Sequence, residues 1–335
     1  MDYRKIHIWE FPPTRTTIKL DDTFRQMLFK KAIAMFDNRE KFISYINSQA
    51  WFYGIKRNHN SLAVYSWIKG KKMDRKMLRT VNVPLWVLIE ISKILSNAKS
   101  MDNLSMHNIE KHIRYYSGWG RSIPVFPSSL PLILTPEMYS VIFHFLGDGH
   151  IGKTNVSSSY RQMNPLGLKN FLSKLQNSFG KFGYGLNEFN NGRLNVPKII
   201  TDFYAYYFLL PDTDTFVSYV PEHLKKYPAD FLKVALFSFI VDEGNIGEVI
   251  TIYSKNKQLL SDIHDIGEHC GYICHPIREK YACKKFDCYR FSISSYSYPQ
   301  IKSDIARISQ IFPTCDLAHK TAIFLEKIPN SSLSM

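Results

Sequence analysis

Long hydrophobic runs are missing from this 335-residue chain: the longest, Phe203 to Leu210, has eight residues, well short of the roughly 20 that a helix needs to cross a bilayer. The opening MDYRKIHIWEFPP has no apolar stretch followed by a small-residue cleavage site, so secretion is not expected. Cysteine is scarce too. Five thiols, an odd number without an export signal, point to reduced cysteines and a cytoplasmic, nucleoid-associated setting. No glycine-rich phosphate loop and no GxSxG elbow occurs, which removes two common phosphate and acyl chemistries. Acidic residues are outnumbered: 29 Asp+Glu stand against 43 Lys+Arg, giving +14 and a pI near 9.4. Such an excess points to a polyanionic partner. With 45% hydrophobic and 21% charged residues, wholesale disorder is excluded.

The charge is unevenly placed. Residues 1–125 hold 22 basic and 10 acidic residues (+12), whereas 126–335 hold 21 and 19 (+2). Lys56 to Arg79 alone has 8 basic residues against one Asp. A Gly, Ser and Pro-rich stretch, Ser117 to Pro131, reads as a junction, and the expected organisation is a helical basic domain over 1–125, a linker over 126–131, two repeats over 132–230 and 231–328, and a frayed tail over 329–335.

Before the linker the apolar spacing predicts an all-α region. KFISYINSQAWFYGIKRNHNSLAVYSWIKGKK predicts helices up to about Trp51 and from about Asn60 to Lys69, joined through a turn at Gly54, the helix-turn-helix pattern. On the second helix Leu62, Tyr65 and Ile68 are expected to face the core. Asn58, His59, Asn60, Ser61 and Ser66 then face outward with side chains able to bond bases or phosphates. Lys69, Lys71, Lys72 and Arg75 would add phosphate contacts. The alternative is a small helical bundle with a solvated basic surface. The stretch VYSWIKGK followed by VPLWVLIEISKIL resembles repressor-type helix-turn-helix domains over about 50 residues.

After the linker the chain repeats itself. VIFHFLGDGHIGKTNVSSSYRQMNPLGLKNFLSKLQNSFG matches LFSFIVDEGNIGEVITIYSKNKQLLSDIHDIGEHCG, pairing Asp148 with Glu243 at an offset of 95. Tyr160 pairs with Tyr253 and Gly180 with Gly271. Each unit begins with a helix apolar on nearly every face, hence buried, and ends it in a carboxylate followed by Gly, a residue suited to the left-handed position past a helix end. Strand pairs are expected in each unit, including hairpins in KFGYGLNEFNNGRLNV and YICHPIREKYACKKFDCYRFSIS. The fold class is therefore α+β, two pseudo-twofold αββαββα repeats behind the all-α domain. An anion at a helix C-terminus opposes the helix dipole, by about 0.3–1 kcal/mol, so local stability does not explain Asp148 and Glu243. If the two helices pack at the twofold, both acids converge, and oxygen-only ligation favours Mg²⁺ or Mn²⁺. Metal held between two carboxylates suits phosphodiester hydrolysis.

FLGDGHI and FIVDEGNI resemble the two signature motifs of LAGLIDADG homing endonucleases, over roughly 132–328. The resemblance implies a monomeric, metal-dependent, site-specific double-strand DNA endonuclease with a long non-palindromic target, of the kind that drives intron mobility. It implies metal binding by Asp148 and Glu243, helped by backbone carbonyls at Gly147 and Asp242. Lys255 is the implied supporting lysine, with Gln162 as its unequal counterpart. A strand saddle would read the major groove, with Lys153, Arg161, Arg193, Arg278, Lys280 and Arg290 as contacts. The third motif position, usually small, holds Phe143 opposite Ser238, so Ser140, Ala235 and Gly147 are expected to supply the close helix contact. Since neither Met1-Asp2 nor Leu333-Ser334-Met335 fits a splice junction, the chain is expected to be free-standing. The rival function is an RNA maturase acting on intron RNA, or a DNA-binding regulator, with the same fold. Cys270, Cys274, Cys283 and Cys288 near His264, His269 and His275 raise a zinc alternative to simple burial of small thiols. His144, within the first apolar helix, reads as a core or interface histidine.

Overall fold

Two short segments of the N-terminal part, Thr17–Leu20 (TIKL) and Ile113–Ser117 (IRYYS), are strands rather than helix. The computed structural model describes residues 3–56, 59–74, 77–96, 105–119, 122–152, 157–210, 217–282 and 285–327, with backbone only for 71–74, 77–80, 282, 285 and 286. The N-terminal part comprises β1 (Lys5–Ile6), β2 (Thr17–Leu20), α1 (Asp22–Ala34), α2 (Arg39–Phe52), α3 (Ser61–Lys69), a hairpin of β3 (Lys71–Asp74) and β4 (Met77–Thr80), β5 (Val83–Pro84), α4 (Leu85–Ser96), α5 (Met106–Lys111) and β6 (Ile113–Ser117). The expectation of an all-α domain is thus corrected. The strands are two to five residues long, and β2 finds its partner β6 almost a hundred residues on, so no local period announces the sheet.

The junction region is stitched rather than loose. Strand β7 (Val125–Phe126) pairs with β6 and with β11 (Lys181–Phe182), extending one sheet in the order β11-β7-β6-β2-β5. Similarly, β1 pairs with β8 (Leu132–Ile133). Phe11 packs on Phe203 with ring centroids 4.6 Å apart, and the buried Tyr116 hydroxyl donates to the Phe179 carbonyl at 2.9 Å. One continuous apolar core therefore runs through both parts.

The first carboxylate unit contains α6 (Pro136–Gly147), β9 (Gly149–His150), β10 (Ser158–Arg161), α7 (Pro165–Phe179), then β11, α8 (Leu186–Asn190), β12 (Arg193–Val196) and α9 (Lys198–Tyr207). The second contains α10 (Ala229–Glu243), β13 (Gly244–Ile246), β14 (Ile250–Ser254), α11 (Lys257–His269), β15 (Arg278–Ala282), β16 (Lys285–Ile293) and α12 (Tyr298–Ser309), followed by α13 (Thr321–Lys327). Both run helix, strand, strand, helix and then diverge. The second builds an antiparallel sheet ordered β13-β14-β16-β15, the first only β12-β10-β9. The hairpin expected in KFGYGLNEFNNGRLNV is corrected: the short helix α8 stands where its first strand was placed, closed by Gly192 at φ +75°, and β11 is spent on the N-terminal sheet. The protein is α+β, and among the described residues no helix is long and apolar enough to cross a membrane.

Candidate functional site

Helices α6 and α10 are buried along nearly their whole length and pack directly on each other. Thr135 caps α6 by accepting from the Met138 N–H at 3.1 Å, with Pro136 in the first turn, a favourable helix start. Apolar faces on both helices leave little to select one register, so small residues decide where the backbones meet. A Cβ at Gly147 would lie 3.0 Å from the Cβ of Asp242. Gly147 is therefore a point of close approach, as expected from the bulk of Phe143.

The glycines after the acids behave otherwise than expected. Neither adopts the left-handed conformation: Gly244 is extended at φ −90°, ψ 145°, and Gly149 is not among the positive-φ glycines. Each is required by proximity instead. A Cβ at Gly149 would sit 2.4 Å from Phe145 Cα, and one at Gly244 2.6 Å from the Ile240 carbonyl oxygen. Each chain folds back over the last turn of its own helix into β9 or β13, leaving the preceding carboxylate at the helix end.

Three carboxyls converge there. Burial pushes Glu243 up to about 7, with Asp148 and then Asp242 adding repulsion. Asp148 opens to solvent on one side, yet the surrounding protein, then Asp242, lift it to about 7. Asp242, whose side chain is fully buried, is pushed to about 8 by burial, against the opposing pull of Tyr160, Lys174, Lys320 and Gln162. The Tyr160 hydroxyl donates to Asp242 Oδ1 at 2.5 Å. His144 Nδ1 lies 2.9 Å from Asp242 Oδ2, and His144 Nε2 is 3.0 Å from Lys174 Nζ. Lys174 Nζ also donates to Ser238 Oγ at 2.8 Å. Burial, then Lys174, holds His144 well below its ordinary pKa. A neutral ring accepting from Lys174 at Nε2 must carry its proton on Nδ1 and donate it to Asp242. Lys174, His144 and Asp242 thus form one buried chain across α7, α6 and α10, and each polar member has a partner, as burial demands.

A cation from beyond α12 completes the cluster. Lys320, in a 3-10 turn at Ala318–Lys320, donates to the Ile240 carbonyl at 2.9 Å and to the Gly244 carbonyl. Its charge acts on all three carboxyls, and burial lowers its own pKa.

Of the residues anticipated from sequence, Asp148, Glu243, Gly147, Asp242 and Gln162 come together, Gln162 lying close enough to act electrostatically on Asp242 and Tyr160. Lys255 does not join them as the nearby cation. It is exposed just past β14, beside Asn256, which caps α11; Lys320 acts on the acids instead. His144 is an interface histidine, as read. The side-chain roles of Asp242, Tyr160, Lys174 and Lys320 were missed. Tyr160 carried a faint signal, since it aligns with Tyr253 between the repeats.

Among the strand cations, Arg161 faces Arg193 across β10 and β12, and Arg278 faces Arg290 across β15 and β16. Like charges directly opposite on a sheet are destabilising. Arg193 Nε is buried with no hydrogen-bond partner among the described residues. Arg278, Arg290 and His275 also border a cavity of about 390 Å³. Lys280 is engaged, 3.3 Å from Asp287 and 5.0 Å from the Tyr253 ring centre. Lys153 lies outside the described residues.

The helix-turn-helix reading needs correction at its second helix. Val64 and Trp67 are buried on α3 and Ile68 packs against the core as expected, while Leu62 and Tyr65 are exposed, against the expected facing. Six of its nine residues are apolar or aromatic (SLAVYSWIK), so the pattern does not select a face. Asn60 and Ser61 are exposed as expected, but Asn60 caps α3 through the Ala63 N–H at 2.9 Å. Ser66 is buried and donates to the Leu62 carbonyl at 2.7 Å. His59 is half-buried, its ring against Trp67 and Trp86. Lys69 is exposed over the Tyr65 ring. Gly70, at φ +65°, closes the helix, and Arg25, fully buried, donates to the Ile68 and Lys69 carbonyls at 3.1 and 3.0 Å. Asn58 and Arg75 lie outside the described residues, as do the side chains of Lys71 and Lys72.

Cys270, Cys274, Cys288 and Cys315 are free thiols, and Cys283 lies outside the described residues. On α11, His264, Asp265 and Glu268 bring ligand atoms within 4.8 Å of one another, the one such group of three or more His, Cys, Asp or Glu side chains among the described residues; Asp148, Asp242 and Glu243 are not packed that closely.

No protein-family model matches the chain, and no curated protein matches it. Among solved structures it is similar to mesophilic variants of the homing endonuclease I-DmoI, at 15% identity and a TM-score of 0.35, over 51% of this chain and 94% of that one.

Proposed function

We propose that the chain is a site-specific double-strand DNA endonuclease of the LAGLIDADG type, its two units related by a pseudo-twofold between α6 and α10. The observation that carries this reading is the convergence of Asp148 and Glu243 at the ends of two packed apolar helices, each pushed up by burial and, for Glu243, by Asp148 itself. Carboxyls held together at this cost are matched to a cationic ligand.

The donor set fits a hard divalent cation. All candidate ligands are oxygens: the Asp148 and Glu243 carboxylates, with carbonyls at Gly147 and Asp242 as neighbours, which suits Mg²⁺ or Mn²⁺ rather than a thiolate-seeking metal. When bound, such a cation supplies Lewis-acid stabilisation of charge at a phosphodiester and an acidified water. The protein's own residues do the rest. Asp242, fixed by Tyr160 and the Lys174–His144 chain, anchors the end of α10 and so orients Glu243. Lys320 supplies a positive charge beside the acids while tying the Ile240 and Gly244 carbonyls. The facing arginine pairs Arg161/Arg193 and Arg278/Arg290 bring cations to both sheets, and phosphates relieve their mutual repulsion. One chain holds both acids, which favours a monomer, and the unequal sheets favour a non-palindromic site.

The reading is tested by incubating the protein with a randomised-site plasmid library and Mg²⁺, then sequencing the ends. Breaks at one long asymmetric sequence, absent with Asp148→Asn or Glu243→Gln, are expected. Breaks that persist in both variants would exclude these carboxyls from the chemistry.

A further inference from the structure

The N-terminal helices carry a second surface that the carboxylate site does not use. At the end of α2, Trp51 and Phe52 are 70% and 81% exposed, and on α3 Leu62 and Tyr65 are 71% and 45% exposed. Leu62, Tyr65 and Lys69 recur at i, i+3 and i+7, so they share one face of α3. Asn47 ties the two helices together here: its amide donates to the His59 carbonyl at 2.9 Å and its Oδ1 accepts from the His59 N–H at 2.7 Å. Trp51 lies one turn beyond Asn47 on the same face of α2, so it sits beside the start of α3.

Contiguous exposed aromatic surface marks an interaction site, and the charge around it selects the partner. Lys56 and Lys69 are exposed, and the segment Lys56–Arg79 has 8 basic residues against one acidic. Two copies of this chain would bring like-charged surfaces together, which disfavours self-association. Cores of protein interfaces are depleted in lysine. Aromatic side chains among lysines instead match the faces of bases and the phosphates that join them. Duplex DNA hides base faces and offers edges, and two of the polar side chains expected to read edges here are already bonded: Asn60 through Oδ1 in capping α3, Ser66 to the Leu62 carbonyl.

We propose that this surface binds single-stranded DNA, bases stacking on Trp51, Phe52 and Tyr65 while Lys56 and Lys69 take phosphates. The proposal stands on residues separate from the carboxylate cluster.

The test uses the full chain and fluorescence anisotropy with labelled dT12, rU12 and a 12-base-pair duplex at 50 and 200 mM salt. Wild type is expected to bind dT12, and Trp51→Ala/Phe52→Ala is expected to keep wild-type duplex affinity. Trp51→Ala/Phe52→Ala should weaken dT12 binding about 5- to 150-fold per stacked base removed while keeping the salt slope. Lys69→Gln should lower that slope by about 0.7. All three positions are exposed, so an unchanged thermal unfolding curve identifies folded variants. Asp148→Asn, which addresses the cleavage reading alone, should bind dT12 as wild type does. Three results would overturn the proposal: equal dT12 affinity of Trp51→Ala/Phe52→Ala and wild type, a tenfold preference for rU12 or an equal loss of duplex affinity in that variant, or a concentration-dependent dimer that this double variant abolishes.

Discussion

The ends of α6 and α10 look alike in sequence and are built differently. At the end of α6, Gly147 precedes Asp148 and makes room, and Asp148 faces solvent on one side. At the end of α10, Asp242 precedes Glu243 and fills that room with a buried carboxyl tied to Tyr160 and to the Lys174–His144 chain. Lys320 also grips the end of α10, through the Ile240 and Gly244 carbonyls, and among the described residues has no hydrogen bond to α6. The lesson is that a near-symmetric pair of acids can rest on one rigid and one open support. The rigid side carries the structural load, and the open side is the freer to adjust to a ligand.

The largest expected effect breaks the rigid side. Lys174→Met removes the buried cation that His144 and Ser238 rely on, and loss of one member of a buried charged network costs about 3–5 kcal/mol; urea unfolding measures it, and a cost under about 1 kcal/mol would show that the chain through His144 is dispensable. Next, Asp148→Asn or Glu243→Gln should lower the rate of DNA cleavage about 100-fold or more with DNA affinity nearly kept, as read by parallel cleavage and binding assays. Unequal losses would rank the two supports. Arg278→Ala or Arg290→Ala should each reduce the magnitude of the salt slope of duplex binding by about 0.9; an unchanged slope would remove the β15–β16 pair from the interface.

The smallest effect concerns pH. Carboxyls whose folded pKa is raised favour the protonated form, so their contribution to stability is complete below their unfolded pKa near 4 and is lost as pH rises through about 7. Asp148→Asn should therefore raise the melting temperature of the metal-free protein at pH 8, by about 2–4 °C, and leave it nearly unchanged at pH 4. The opposite ordering of the two pH values would contradict the crowding of acids described above.

How much of this could be read from sequence follows from the length of the signals. The acids were legible because two apolar helices of 12 and 15 residues each end in a carboxylate and Gly, 95 residues apart, and the same downstream order follows both. The supports were not. Lys320 lies past α12 in a three-residue turn, and nothing in AHK marks it for the end of α10. Lys174 sits on an amphipathic helix where a lysine ordinarily faces water, and only the fold shows it fully buried. The N-terminal sheet escaped because its strands are short and their partners distant. The facing of α3 was misread because a nine-residue helix with apolar side chains on most sides has no unique inner face.

The account's central claim is that Asp148 and Glu243 form one divalent-cation site. Calorimetric titration of Mn²⁺ into the DNA-free protein at pH 8 tests it most directly. Saturable binding in the wild type, abolished by either Asp148→Asn or Glu243→Gln and weakened at pH 6 where both carboxyls are largely protonated, is the predicted result. Binding that survives both substitutions unchanged, or none in the wild type, would contradict it.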